Sequence, residues 1–253
     1  MKLSDAHCHL QSDALFADLD AVLARAATAG VEQLACCATS PSDWERVLEV
    51  SSRFPQVIPL LGIHPWRVSN DWPRHLQTLE SLLHAVPQAG IGETGLDFST
   101  LFSNRAAQVD CFSAHLELAR RLERPLIAHC VHAWGELEKV LRARPAPRIL
   151  LHAYSGAPEL IPALAKLGGF FSFNAAVALP RFRRMRAAAI AVPDDLLLAE
   201  TDAPDFPPPQ TPAPNEPACL SVVVQTLADL RGMAPDALVE LLQSNFRRFF
   251  ESV

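Results

Sequence analysis

The chain has 253 residues, 49% of them apolar and 20% charged, which is enough hydrophobic material for a large core and excludes a disordered polymer. Its formal charge of −6 excludes the broad basic face of a nonspecific nucleic-acid binder, although a local basic patch or bound cations could still hold phosphate. Asp5 and His7 interrupt the N-terminal stretch where a secretory signal needs an apolar run, and no later stretch approaches about 18 uninterrupted apolar residues, so the expected location is cytoplasmic, without membrane contact.

Short apolar runs alternate with longer amphipathic stretches along the whole chain. Residues 2–7 are predicted to be a strand and 14–29 a helix; the pattern repeats with 32–39 and 41–53, 57–65 and 72–86, 88–97 and 104–122. It continues with 125–131 and 133–143, 147–155 and 157–167, 169–174 and 180–190, and 195–202 followed by helices near 216–231 and 235–250. Alternating β and α segments imply a parallel sheet, and eight repeats at this length predict a (β/α)8 TIM barrel spanning residues 1–253 as one domain, rather than an open doubly wound sheet. No GxGxxG follows the first strand, which removes the main signature of a dinucleotide site. Residues 203–217 hold seven prolines and are expected to form a stiff loop on the barrel rim. The six cysteines lack CxxC spacing and are expected as reduced, mostly buried thiols.

Barrel active sites form at the C-terminal strand ends, and here most of those ends carry metal-capable groups. The first strand offers His7 and His9, the third His64, the fourth Glu93, the fifth His129, the sixth His152 and the eighth Asp202. By contrast, His75, His84 and His115 fall in predicted helices and are expected at the surface. Strand alternation points His7 and His9 to the same side, with Asp5 one step deeper to hold an imidazole N–H, and Cys8 packed on the opposite face. Imidazoles and carboxylates without thiolates suit zinc, manganese, magnesium, iron or cobalt. The only lysines, Lys2, Lys139 and Lys166, end no strand, so a carboxylated lysine cannot bridge two ions. Glu93 is the expected bridge, because one carboxylate can ligate two ions roughly 3.5–4 Å apart. Arg181, Arg183, Arg184 and Arg186 form the densest basic cluster, either a solvated helix face or a track for a nucleic-acid backbone.

The motifs DAHCHL (5–10), GIHP (62–65), GETGLD (92–97), RAAQVDCF (105–112), PLIAHC (125–130), LLHAYSG (150–156), ETDAP (200–204), NEP (215–217) and NFRRFF (245–250) together resemble the TatD-type metal-dependent deoxyribonucleases. The resemblance implies that His7, His9, Glu93 and Asp202 hold one divalent ion and Glu93, His129 and His152 a second, with Mg2+, Zn2+ or Mn2+ as candidates. It further implies hydrolysis of DNA phosphodiester bonds, single strands or 3′ ends being the expected substrate and a monomer the expected form. In that reading Asp202 is the general base, His64 stabilises the phosphate or leaving group, Ser155 donates to a phosphate oxygen, and Arg181 and Arg183 follow the polymer. One departure stands out: the family commonly places an arginine two residues after its fifth-strand histidine, and this chain has Val131, followed by His132. A barrel amidohydrolase, esterase or phosphatase acting on a small molecule or an aminoacyl-tRNA ester is the main alternative, and a metal-bound module without turnover a third.

Overall fold

Each predicted apolar run becomes one strand in the computed structural model, which describes residues 2–101, 103–145 and 148–250. Pro147, expected to open the sixth strand, lies outside the described residues. The strands are β1 (Leu3–Cys8), β2 (Val31–Cys37), β3 (Val57–Leu61), β4 (Gly90–Asp97), β5 (Leu126–Val131), β6 (Ile149–Leu151), β7 (Gly169–Phe173) and β8 (Leu197–Ala199). They pair in parallel and in chain order to form an eight-stranded sheet. The sheet curls into a nearly closed barrel, β8 meeting β1 through hydrogen bonds from Asp202 N to His7 O (3.0 Å) and His9 N to Ala203 O (2.7 Å). The intervening helices are α1 (Asp13–Phe16), α2 (Leu19–Thr28), α3 (Trp44–Arg53), α4 (Trp72–Ala85), α5 (Arg105–Leu122), α6 (Trp134–Ala143), α7 (Ile161–Ala165), α8 (Arg183–Ala191), α9 (Leu220–Arg231) and α10 (Pro235–Phe250). Among the described residues no helix is long and apolar enough to cross a membrane.

The strands are apolar on both faces because each face has a core to fill. Inside the barrel lie Ala6, Ala35, Cys37, Leu60, Ile127, Leu150, Phe170 and Leu198, and Phe246 and Phe249 of α10 plug the end where the strands begin. Asn245 locks that plug, its amide donating to the carbonyls of Asp194 (2.7 Å) and Leu197 (2.8 Å) just before and within β8. Residues of the other parity, among them Leu34, Cys36, Ala128, Leu151 and Phe171, pack outward in the large core beneath the helices. All six cysteines are free thiols, five of them buried, as their spacing suggested.

Two irregularities decide what reaches the open end. Asp5 pairs with Leu34 and Cys8 with Cys36, so β1 spends three residues where β2 spends two. Leu34, Cys36 and Cys8 all belong to the outer layer, and the extra residue is a β-bulge that turns both Ala6 and His7 inward. Asp5 therefore faces outward, contrary to the expectation from strict alternation. Its carboxylate accepts from Thr201 N (2.9 Å), Thr201 Oγ1 and His7 N (3.3 Å), tying β1 to the end of β8 instead of holding an imidazole. The same device recurs on β4, where Ile91 pairs with Leu126 and Thr94 with Ala128, and the bulge carries Glu93 inward.

His115 corrects a second expectation. It is fully buried, because α5 lays Gln108, Cys111, Phe112, His115, Leu116 and Ala119 along one stripe of three- and four-residue spacing against the barrel. His84 is exposed and His75 half-buried, edge-on to Trp44.

Candidate active site

Glu93 stands at the centre of the open end, 2% exposed, with its two oxygens divided between two groups of imidazoles. Oε2 lies 3.4 Å from Nε2 of His7 and 3.4 Å from Nε2 of His9. Oε1 lies 3.0 Å from Nδ1 of His129, 2.8 Å from Nε2 of His152 and 3.2 Å from Nε2 of His64. Asp202 closes the first group, its Oδ1 3.6 Å from His7 Nε2 and 3.8 Å from His9 Nε2. Two glycines make the approach possible. A Cβ on Gly62 would sit 2.7 Å from the carbonyl oxygen of Glu93, and one on Gly95 would sit 2.1 Å from that of His129, at a φ of +132° that side chains rarely adopt.

The donor set suits divalent cations. No lysine or arginine enters the cluster, yet His7 and His9 bring their Nε2 atoms to 3.1 Å, and His129 Nδ1 approaches His152 Nε2 to 3.3 Å. Burial of Asp202 beside Glu200 and Glu93 pushes its carboxyl well above the usual range, despite the opposing pull of His152. Burial would also raise Glu93, but the surrounding imidazoles of His152, His64 and His7 outweigh it and hold that carboxyl well below its ordinary value. Ligand atoms of His7, His9 and Asp202 lie within 4.8 Å of one another, as do those of His7, Glu93 and His152.

His64 differs from the others. Its Nδ1 accepts the backbone N–H of Trp66 at 3.2 Å, and burial drives its pKa down to about 4, so the neutral ring carries its proton on Nε2. In that form the nitrogen donates toward Glu93 Oε1 at 3.2 Å, although the ligand atoms of His64, Glu93 and His129 also lie within 4.8 Å of one another, close enough to hold an ion.

A family model for TatD related DNase matches residues 4–251. The chain belongs to the TatD family. It is 31% identical to the metal-dependent hydrolase YcfH of Escherichia coli K12, over 99% of this chain and 96% of that one. Similarity extends to the 3′-5′ ssDNA/RNA exonuclease TatD of Salmonella typhimurium, 30% identical over 98% and 99% of the two chains. The crystal structure of YJJV, a TatD homolog from E. coli K12, superposes with a TM-score of 0.92 at 28% identity, covering 99% of this chain and 98% of that one.

Within this TatD-family site, several residues act on the imidazoles from behind and were not singled out by sequence. The Cys37 carbonyl accepts from His9 Nδ1 (2.7 Å), leaving Nε2 free to bind. Asp97 lies 3.5 Å from His129 Nε2 and accepts the indole N–H of Trp66 at 2.6 Å. Glu200, fully buried, lies 3.5 Å from His152 Nδ1 and is itself held by Ala153 N (2.8 Å) and the Ser172 hydroxyl. Asn174 donates to Asp202 Oδ2 at 3.2 Å. Their signal was parity: Glu200 and Asp202 alternate beyond β8, as Ser172 and Asn174 do along β7.

A cavity of about 640 Å³ opens above Glu93 and is lined by His9, His64, His129, His152 and Asp202, with Trp66, Arg67 and Arg46 toward its rim. Pro204, Asp205 and Phe206 of the proline-rich segment also line it, which puts that segment on the rim. Ser155, Arg181 and Arg183 are exposed and lie outside that lining, as do Val131 and the exposed His132. Arg186 turns back to the Val177 carbonyl (2.8 Å).

Proposed function

We propose that this protein is a divalent-metal-dependent phosphodiesterase that shortens single-stranded DNA from its 3′ end. The observation that carries the reading is the division of Glu93, one oxygen toward His7 and His9 and the other toward His129 and His152, on the floor of an open cavity. In this reading His7, His9, Glu93 and Asp202 hold one ion, and Glu93, His129 and His152 a second, with Mg2+, Mn2+ or Zn2+ as candidates. Two such ions would neutralise the phosphate and lower the pKa of water from about 15.7 toward roughly 7. The names of the Salmonella exonuclease and of the human deoxyribonuclease TATDN3, the latter 29% identical over 98% of this chain, support a nucleic-acid substrate.

The chain's own groups supply the rest. With cations beside it, the Asp202 carboxylate would stay ionised, so that it can accept the proton of the attacking water, while Asn174 fixes Oδ2. Trp66 N–H keeps the His64 proton on Nε2, from where it donates to a nonbridging phosphate oxygen. Asp97, Glu200 and the Cys37 carbonyl orient His129, His152 and His9, so that little rearrangement is needed as charge develops. Ser155, Arg181 and Arg183 are assigned to phosphates beyond the cavity.

A 5′-labelled single-stranded oligonucleotide incubated with the metal-loaded enzyme should yield a ladder shortening by one nucleotide at a time from the 3′ end, with slower cleavage of a blunt duplex. Efficient turnover of small amides, lactones or phosphomonoesters, with the oligonucleotide left intact, would overturn the proposal.

A further inference from the structure

Five acids line the cavity, Asp13, Asp43, Asp205, Glu93 and Asp202, against two permanent cations, Arg46 and Arg67. A polyanion must find positive charge there beyond the metal centre, and the two arginines are not equivalent. Arg46 is already committed: its guanidinium donates to the Gln11 carbonyl (2.9 Å) and Asp13 Oδ1 (2.6 Å) and lies 4.6 Å from the centroid of the Phe16 ring. Arg67 is exposed, and its guanidinium has no ion pair or hydrogen bond among the described residues.

The backbone beneath Arg67 is well fixed. Residues Pro65–Arg67 form a 3-10 turn capped by His64, with Arg67 N donating to His64 O at 2.8 Å. The exit of the turn is pinned by Asn104, whose amide donates to the Val68 carbonyl at 2.7 Å. A cation three residues after His64, on the same turn and lining the same cavity, is placed to meet the phosphate next to the one His64 serves. The site needs such a group because Val131 leaves none at the end of β5 and Arg181 and Arg183 stand outside the lining.

We infer that Arg67 is a substrate-binding residue that anchors the phosphodiester adjacent to the scissile one, so that this site selects nucleic-acid chains over isolated phosphodiesters. This rests on the proposed nuclease activity. The role is electrostatic and bidentate, and it adds binding in the ground state and transition state alike.

The test uses the metal-loaded full chain and compares wild type, Arg67→Ala and Arg67→Lys on a single-stranded oligonucleotide and on bis(p-nitrophenyl) phosphate, which has no second phosphate. Because Arg67 is exposed, thermal melting should be unchanged in both variants. Arg67→Ala is expected to raise KM for the oligonucleotide about tenfold with kcat nearly unchanged. It should also flatten the slope of log kcat/KM against log salt by about 0.7, the loss of one phosphate contact on a single strand. Arg67→Lys should restore part of both effects, and turnover of the small diester should not change. An unchanged oligonucleotide KM and salt slope, or an equal loss on both substrates, would overturn the anchor while leaving the nuclease reading intact. Wild-type turnover of the small diester without any cleavage of the oligonucleotide would instead overturn the nuclease reading, and the anchor with it.

Discussion

Glu93 and His7 are ordinary in type and unusual in placement, since each sits on a bulge where one extra residue redirects the side chain. Buried polar groups of this kind must be matched by partners or cations, and His115 illustrates the cost when they are not. Its ring is fully buried, and among the described residues its Nδ1 meets only the Cys111 carbonyl (2.7 Å) and Cys111 Sγ (3.6 Å) and its Nε2 has no hydrogen-bond partner. Burial lowers its pKa from the ordinary 6.5 to about 4. The unfolded chain therefore takes up a proton that the folded chain refuses, and stability is lost as pH falls from about 6.5 toward 4. Replacing His115 with Leu removes this term, so the stability of the variant relative to wild type should improve by about 2 kcal/mol between pH 7 and pH 5, as measured by urea unfolding. Parallel pH profiles for the two proteins would show that the imidazole is not held neutral. The histidine sequence alone did not reveal this burial, because its neighbours Glu117 and Arg120 give α5 a polar look that hides the apolar stripe.

At the scale of elements, the repeat of eight strands was legible because parallel strands buried on both faces read as unbroken apolar runs. The metal-capable side chains were legible for a related reason: the open end of the barrel is where polar groups interrupt those runs. Parity was less reliable. Strict alternation put His7 and His9 on one side, where their Nε2 atoms meet at 3.1 Å, but it assigned Asp5 to the interior because a bulge leaves no mark in composition. The groups behind the imidazoles were hidden as well, since a carbonyl such as that of Cys37 has no sequence signature. Residues 157–167 yield only a short turn and the five-residue α7, with Pro158 and Pro162 removing backbone donors where a longer helix was expected. The close packing of β4 on β5 can be tested at Gly95. Gly95→Ala forces a Cβ to within 2.1 Å of the His129 carbonyl oxygen at φ +132°, so the strands must part and carry His129 away from Glu93. A stability loss of at least about 2 kcal/mol in denaturant unfolding, with metal affinity lowered, is expected. A variant with wild-type stability and metal affinity would show that β4 tolerates the separation.

For the whole molecule, the barrel divides its labour between two ends. Phe246 and Phe249 seal the end where the strands begin, and the open end gathers metal-capable groups at the ends of β1, β4, β5, β6 and β8, as much as 195 residues apart between His7 and Asp202. A cation shared by these elements would link the first strand to the last, and on the proposed function metal binding, barrel closure and catalysis would then depend on one constellation. The decisive measurement is a metal titration of chelator-stripped protein, following release of terminal nucleotides from single-stranded DNA and using Glu93→Gln as the paired control. A two-ion site bridged by Glu93 requires no turnover in the stripped protein, recovery on adding Mg2+, Mn2+ or Zn2+, and a loss of about a thousandfold or more in Glu93→Gln at saturating metal with its circular dichroism unchanged. Undiminished cleavage by the stripped protein, or wild-type rates in Glu93→Gln, would contradict it.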